Sequence, residues 1–361
     1  MNDANELISF IASMSGEGNL RVEENLGEGY VRLRVSEAER RQAKHDIQHV
    51  EDIVIEMLRN ARDAGADKVY LATTKEDGVR TLVFLDNGSG VPQDMQERIF
   101  DARVTSKLES MKMDRWGVHG RGMALFSIKQ NTDEARVVAS DVDLGSVFKV
   151  SVATDRLGER ADQSSWPQAV KDEDGHYVCA RGPHNIIRAA CEFALEELRA
   201  CDVYLGSPSE IAATLHAQAS SRLDASRLLF IDDEAELPVV DRLGLASDAE
   251  DFIRICSGLG LEMSERTAHR ILAGQIKPVR GVTARLLRER DSSPHASAPV
   301  DLAKDRRGLR IAKDDMAQFS RAVERDFNDL ASRYYLNLCG DPKIRVSRDR
   351  ITVTFDLAKE E

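Results

Sequence analysis

Three short stretches concentrate residues that could do chemistry. In Glu56-Met-Leu-Arg-Asn60-Ala-Arg-Asp63 the polar residues Glu56, Asn60 and Asp63 fall at i, i+4 and i+7, so a helix would turn all three to one face. A carboxylate that can polarise water and an amide oxygen that can ligate a hard cation then sit side by side. A polar, solvated helix face is the plainer reading, but it fits poorly with the flanking Met57, Leu58 and Ala61, because half-buried polar groups need partners. The second stretch is Asp86-Asn-Gly88-Ser-Gly90. Asp86 at the end of a strand can accept a hydrogen bond from an exocyclic amine, and glycines let a ligand approach the backbone. Read alone, this is an ordinary turn. The third is Gly117-Val-His119-Gly120-Arg121-Gly122, running into Met123-Ala-Leu125. A glycine-rich loop that opens a helix can surround phosphate oxygens with backbone N–H groups. It matches neither a Lys-containing phosphate loop nor a dinucleotide fingerprint, since no strand immediately precedes it.

The elements that must position these groups are legible around them. Apolar residues Ile47, Val50, Ile53, Val54, Met57, Leu58 and Ala61 recur every three or four positions, which predicts a helix ending near Ala64, with Gly65 just beyond it. Ser36-x-x-Glu39 has the spacing of a capping box and predicts an earlier polar helix. Val69–Thr73 and Thr81–Leu85 read as a β-hairpin through Asp77-Gly78. Residues 102–122 show little periodicity and predict a long functional loop. A helix over 123–130 and strands over 136–140 and 147–153 follow, the strands joined by an Asp143-Leu-Gly145 turn, and the first domain is expected to close near residue 155.

Together, in this order, the three stretches resemble the N, G1 and G2 boxes of the GHKL ATPase superfamily, which includes gyrase B, Hsp90, histidine kinases and MutL. Arg103-Val-Thr105-Ser106-Lys107 is similar to the Thr-Ser-Lys element of a MutL-like lid. The resemblance spans about residues 40–153 and implies a Bergerat fold, an α/β two-layer sandwich with a mixed sheet covered on one face by helices. It implies ATP and Mg2+ as ligands. Glu56 becomes the general base, Asn60 the Mg2+ ligand and Asp63 a supporting residue. Asp86 becomes the adenine reader, with Gly88 and Gly90 shaping its pocket. Thr105, Ser106 and Lys107 form the lid, and Gly117, His119, Gly120, Arg121 and Gly122 lie at the phosphates. ATP-driven homodimerisation and slow hydrolysis follow for the MutL, Hsp90 and gyrase B branch. A phosphoacceptor hairpin of the histidine kinase type has no room before Asn60. The branch also draws a γ-phosphate-sensing residue from a second domain; only Lys171 and Lys277 offer themselves, and neither has a motif.

The remaining chain is expected to divide into a mixed α/β region (156–240), a basic helical segment (241–290), a linker (291–304) and a C-terminal helix with a β-hairpin (305–361). In the middle region, 155–175 reads as a linker or flap, followed by a helix over 185–201, a strand over 203–205, another helix from Ser209 and a strand over 228–231. The tail predicts a helix over 314–336 and strands over 344–346 and 351–355. Phe252 to Arg290 holds eight Arg and Lys against three Glu, a local +5 in a chain whose net charge is -12. Within it, two helices joined at Gly260, the second capped by Ser264, are similar to a helix-turn-helix, which would turn Arg266, Thr267, His269 and Arg270 toward a major groove. The alternative function is therefore an ATP-gated DNA-binding regulator or repair factor on double-stranded DNA, and a third option is an interaction protein with a protein client.

With 361 residues, 42% apolar and 31% charged, the chain is expected to fold into two or three domains with a real core. No apolar run reaches the ~20 residues of a membrane span, and no secretory signal is readable, so a cytoplasmic location is expected, with no membrane partner. The five cysteines form no Cys-x-x-Cys pair and are expected to be reduced thiols, mostly in the core.

Overall fold

A computed structural model describes residues 22–106, 112–114, 117–119, 122–223, 233–291, 319–325, 327–328, 336–340, 342–346 and 351–359. The chain divides into two compact units, Met1–Leu287 and Arg288–Glu361.

The first described element of the first unit is a hairpin, β1 (Val22–Gly27) and β2 (Tyr30–Leu33). Helix α1 (Glu37–Asp46) follows, and its N-terminus has the expected capping box: Ser36 N–H donates to Glu39 Oε2 at 2.9 Å while Ser36 Oγ accepts from Glu39 N. Helix α2 (Val50–Asp63) runs as its periodicity predicts, burying Val50, Ile53, Val54, Met57, Leu58 and Ala61. Gly65 just beyond it has φ +75°. Strands β3 (Lys68–Glu76) and β4 (Val79–Asp86) pair in full register, Val69 opposite Asp86 at one end and Glu76 opposite Val79 at the other. After β5 (Val104–Thr105), β6 (Lys112–Asp114) and β7 (Gly117–His119) come α3 (Ala124–Asn131), β8 (Glu134–Ser140) and β9 (Ser146–Ala153). Then follow β10 (Gln168–Lys171), β11 (Tyr177–Arg181), α4 (Ile186–Glu196), β12 (Asp202–Gly206), α5 (Pro208–Arg222), α6 (Ala249–Gly258), α7 (Glu265–Leu272) and α8 (Val282–Asp291).

The main sheet has the order β12-β3-β4-β9-β8. β12 is parallel to β3 and the other neighbours are antiparallel. The sheet thus takes its fifth strand from 202–206, well beyond residue 155. Side chains alternate across it as period-two geometry requires. Leu71, Leu82, Phe84, Val150 and Val203 point to one face, where they share a core with α2 and α4. Tyr70, Ala72, Val83, Leu85 and Val147 point to the other, where Ile211 and Leu215 of α5, Phe252 and Ile255 of α6 and Ala268 and Ile271 of α7 cover them. The α/β sandwich expected on one face is present, and the chain after residue 207 adds a helical layer to the opposite face.

Several local expectations change. Residues 102–122 are not a continuous loop: β5 adds to the edge of β2, and β6 pairs with β7. These strands are two or three residues long and carry no alternation, so tertiary pairing rather than pattern decides them. Residues 168–181, read in part as a flap, form the β10–β11 hairpin turning at Gly175. Its neck is held by Asn185, whose Nδ2 donates to Asp162 O and Ser165 O. The strand expected at 228–231 lies outside the described residues.

In the second unit, residues 319–325 are helical, but Leu336 begins β13 (Leu336–Leu338) instead of ending a helix, since it pairs with β16 (Leu357–Lys359). β14 (Lys343–Val346) and β15 (Ile351–Thr354) form the expected hairpin. Cys179, Cys191, Cys201 and Cys256 are buried free thiols and Cys339 is exposed; burial pushes the Cys256 thiol up to about 12. Among the described residues no helix is long and apolar enough to cross a membrane.

Phe252 is fully buried and meets His216 of α5 edge-on, ring centroids 5.5 Å apart. Truncating it to alanine is expected to cost about 3–5 kcal/mol in a single cooperative urea transition. A loss confined to a separate early transition would show that the second helical layer folds independently of the sheet.

Candidate functional site

The cleft beside α2 begins with a contradiction in that helix's own surface. Its apolar stripe fixes it on the sheet, and the residues left over, Glu56, Asn60 and Asp63, border a cleft of about 470 Å3. Asp86, Gly90, Thr105, Ser106 and Gly122 border the same space. Eight of the expected site residues therefore converge, from α2, the end of β4, β5 and the start of α3.

The turn after β4 is built by close backbone approach. Gly88 N–H donates to Asp86 Oδ1 at 2.8 Å, and Ser89 N–H donates to Ala64 O at 2.9 Å, tying the turn to the end of α2. A Cβ on Gly88 would lie 2.8 Å from Ala64 O. Gly88 thus seats the turn and is not itself a wall of the cleft, whereas Ser89 is. Gly90 has φ +71°, and a Cβ there would sit 1.8 Å from Asp141 O. Asp86 is 4% exposed, and Asn87 Oδ1 accepts from the backbone N–H of Asp67 and Lys68, fastening the start of β3.

Glu56 is held by Arg59, Nη1 to Oε1 2.6 Å, and the Arg59 side chain is 4% exposed. Arg62 Nε lies 3.4 Å from Asp63 Oδ1 and its Nη1 lies 3.2 Å from Glu197 Oε1. The amide Nδ2 of Asn60 is buried with no hydrogen-bond partner. Opposite, Arg103 N–H donates to Gly122 O at 2.8 Å, which lays the Thr105-Ser106 segment against the entrance to α3. Arg103 itself pairs with Glu39. Burial pushes the Tyr30 phenol above its usual pKa, against a hydrogen bond with Ser106.

Of the other expected residues, Lys107, Gly120 and Arg121 lie outside the described residues. Gly117 and His119 are on β7, paired with Asp114 and Lys112. Lys171 does not border the cleft; its ammonium lies 5.2 Å from the centre of the Tyr177 ring on the β10–β11 hairpin. Lys277 is exposed in the connection between α7 and α8. Arg266, His269 and Arg270 border a separate shallow surface on α7, with Thr267 half-buried next to them. Residues that the motifs did not indicate also line the cleft: Arg59, Ser127 and Ser146 among them. Ser146 is the cross-strand partner of Asp86, a position that only the β4–β9 register reveals.

A helix face carrying a carboxylate and an amide, facing a strand-end aspartate across a cleft of nucleotide size, is the decisive arrangement. Residues 47–140 match the family model described as histidine kinase-, DNA gyrase B- and HSP90-like ATPase. This segment is similar to GHKL-type ATPase domains. ATP binding and ATPase chemistry are what that family implies for it. The chain is also similar to the DNA mismatch repair protein MutL of Staphylococcus aureus strains Newman and JH1, in each case 28% identical over 136 residues. That alignment covers 35% of this chain and 20% of the relatives' length. The family match falls on the part of the chain that builds most of the cleft.

The close contact at Gly90 gives a direct test of the turn. Gly90→Ala is expected to lower stability by more than about 2 kcal/mol in chemical denaturation, since strain at positive φ and backbone overlap act together. An unchanged midpoint would mean that the turn is not seated against Asp141.

Proposed function

We propose that the GHKL-like domain binds ATP with Mg2+ and hydrolyses it slowly, and that nucleotide state drives dimerisation and a change of shape. The observation that carries this reading is the convergence of Glu56, Asn60 and Asp86 on one cleft.

In this reading the Asp86 carboxylate accepts a hydrogen bond from the adenine amino group. Its pairing with the Gly88 N–H orients it for that contact, and Gly90 keeps the neighbouring backbone clear. Asn60 borders the cleft, and its side-chain carbonyl oxygen is the kind of hard oxygen donor that Mg2+ accepts. Among the described residues no group of three acidic, His or Cys side chains could hold a metal alone. In this reading the cation arrives with phosphate oxygens, which suits Mg2+ and its reluctance to shed water for an all-protein cage. When bound, Mg2+ would neutralise charge on the phosphates. Glu56 acts as general base, taking the proton of the water that attacks the γ-phosphorus, with ADP and phosphate as products. The Arg59 guanidinium fixes the carboxylate through its 2.6 Å ion pair. Asp63 supports the helix end through Arg62. Backbone N–H groups from Gly117 to Gly122 receive the phosphates, Lys107 and Arg121 supply positive charge, and Thr105 and Ser106 close over the nucleotide with His119 nearby.

Glu56→Ala is expected to keep ATP affinity within about threefold and to reduce hydrolysis by about 100-fold or more, the usual scale for a general base. Asp86→Asn is expected to weaken ATP binding itself. Isothermal titration and phosphate release separate the two, and equal affinity in wild type and Asp86→Asn would remove the assignment of the cleft.

A second reading, ATP-gated contact with duplex DNA, is favoured by one observation. Of the cations counted between Phe252 and Arg290, Arg254 is spent on Glu234 at 2.6 Å, and Arg285 lies 3.9 Å over the Trp166 ring. Arg266, Arg270, Lys277 and Arg280 are exposed or nearly so; no ion pair to any of them occurs among the described residues. Unpaired cations on one segment of an acidic chain suit a polyanion, and the MutL relatives are by name DNA mismatch repair proteins. Replacing Arg266 and Arg270 by alanine is expected to abolish salt-sensitive binding in fluorescence anisotropy with a duplex, with and without ATP. Absence of any salt-sensitive binding by wild type would leave a protein client as the output.

A further inference from the structure

Ser127 carries the one buried hydroxyl that has no hydrogen-bond partner among the described residues. It is 1% exposed, stands in the first turn of α3, and borders the cleft. A buried helical serine can settle its hydroxyl on the carbonyl four residues earlier. Other buried hydroxyls of this chain do so: Thr132 Oγ1 donates to Ile128 O at 2.8 Å, and Thr214 Oγ1 donates to Glu210 O at 2.7 Å. Ser140 Oγ is also satisfied, donating to Gly145 O and accepting from Val91 N–H. At Ser127 the corresponding carbonyl, Met123 O, accepts only the backbone N–H, at 2.8 Å.

The orphan is not isolated. Asn60 Nδ2, on a different helix but bordering the same cleft, is the other such side-chain atom there. Buried polar groups without partners are rare, and each needs an explanation. Two on the walls of one cleft share one: their partner comes with whatever fills it. Ser127 also stands where α3 presents its N-terminal, partially positive end, which favours an anionic ligand.

We infer that the Ser127 hydroxyl is a nucleotide ligand used only in the loaded state, donating to a phosphate oxygen or to a water that the phosphates hold. The inference rests on the ATP reading of the cleft. It gives a use to a hydroxyl that the empty protein would be no worse without, since removing a donor that has no partner forfeits no hydrogen bond.

That asymmetry makes the test sharp. In the full chain, Ser127→Ala is expected to leave the melting temperature without nucleotide unchanged or raised. The affinities for ATP and ADP with Mg2+, measured by calorimetry, are expected to fall by about ten- to a hundredfold, the scale of one lost hydrogen bond to a charged acceptor. Adenosine affinity is expected to stay the same. Ser127→Cys, nearly the same size with a weak donor, is expected to show the same loss, which excludes a cavity effect. Unchanged ATP affinity in both variants, a lowered melting temperature in Ser127→Ala, or an equal loss with adenosine would each overturn the proposal. Asp86→Asn serves as the control: if it weakens ATP and Ser127→Ala does not, only the Ser127 assignment falls. If wild type binds no ATP, or Asp86→Asn binds as well as wild type, the reading of the cleft falls, and this inference falls with it.

Discussion

The close approach of three backbone segments at the end of β4 is the constraint on which the site depends. The turn after Asp86 lies against the last residues of α2 on one side and against the β8–β9 connection on the other. Ser89 links both, donating its N–H to Ala64 O and accepting from Asp143 N–H at 2.8 Å. Gly145 completes the contact, since a Cβ there would stand 2.2 Å from Asp86 O. Side chains at these points would prise the strand end away from the helix. With none there, the Asp86 carboxylate and the polar face of α2 border one cavity, and two short elements far apart in function become one site.

This geometry places several like charges together. Asp46, Glu56, Asp63 and Asp86 border the cleft, and Arg59 is the cation bordering it among the described residues. A cleft so furnished would repel a naked polyphosphate, so the proposed ligand has to be met by backbone N–H groups, a helix terminus and an accompanying cation. The two buried orphans fit that logic. Asn60 Nδ2 and Ser127 Oγ are uncharged donors, which can meet an anionic oxygen without adding to the negative field. The Arg59 pairing also keeps Glu56 fixed within a crowded set of carboxylates, where a free side chain would swing toward solvent.

Much of this was legible in the residues themselves. The 3.6-residue recurrence from Ile47 to Ala61 placed α2 and, by exclusion, its polar face, and Asp77-Gly78 marked the β3–β4 hairpin. The motif residues of the three stretches could be named before any coordinate was known. What could not be read depends on register and return of the chain. Ser146 belongs to the cleft because β9 pairs with β4 with Ser146 opposite Asp86, and nothing in its local sequence says so. Ser127 reads as one polar residue in a short helix, and only the missing partner distinguishes it. β12 was visible as a strand, but its parallel docking on β3 is a long-range choice. β5 is two residues long, below the length at which any pattern can be recognised.

The same sheet joins the cleft to the chain after residue 207. In β4, Leu82 and Phe84 face α2 and the cleft side, while Val83 and Leu85 face the helical layer of α5, α6 and α7. A single strand thus ends in Asp86 and carries, on its reverse, the wall on which the basic helix pair is packed. Gly260, the turn between those helices, lies against Val83 and Val138, where even an added Cβ would be in van der Waals contact. Packed interiors transmit displacement because they have little free volume. Were the proposed ligand to shift the β4 end, adjacent residues of one strand would carry that shift to α6 and α7, a shorter route than a hinge between separate domains would provide.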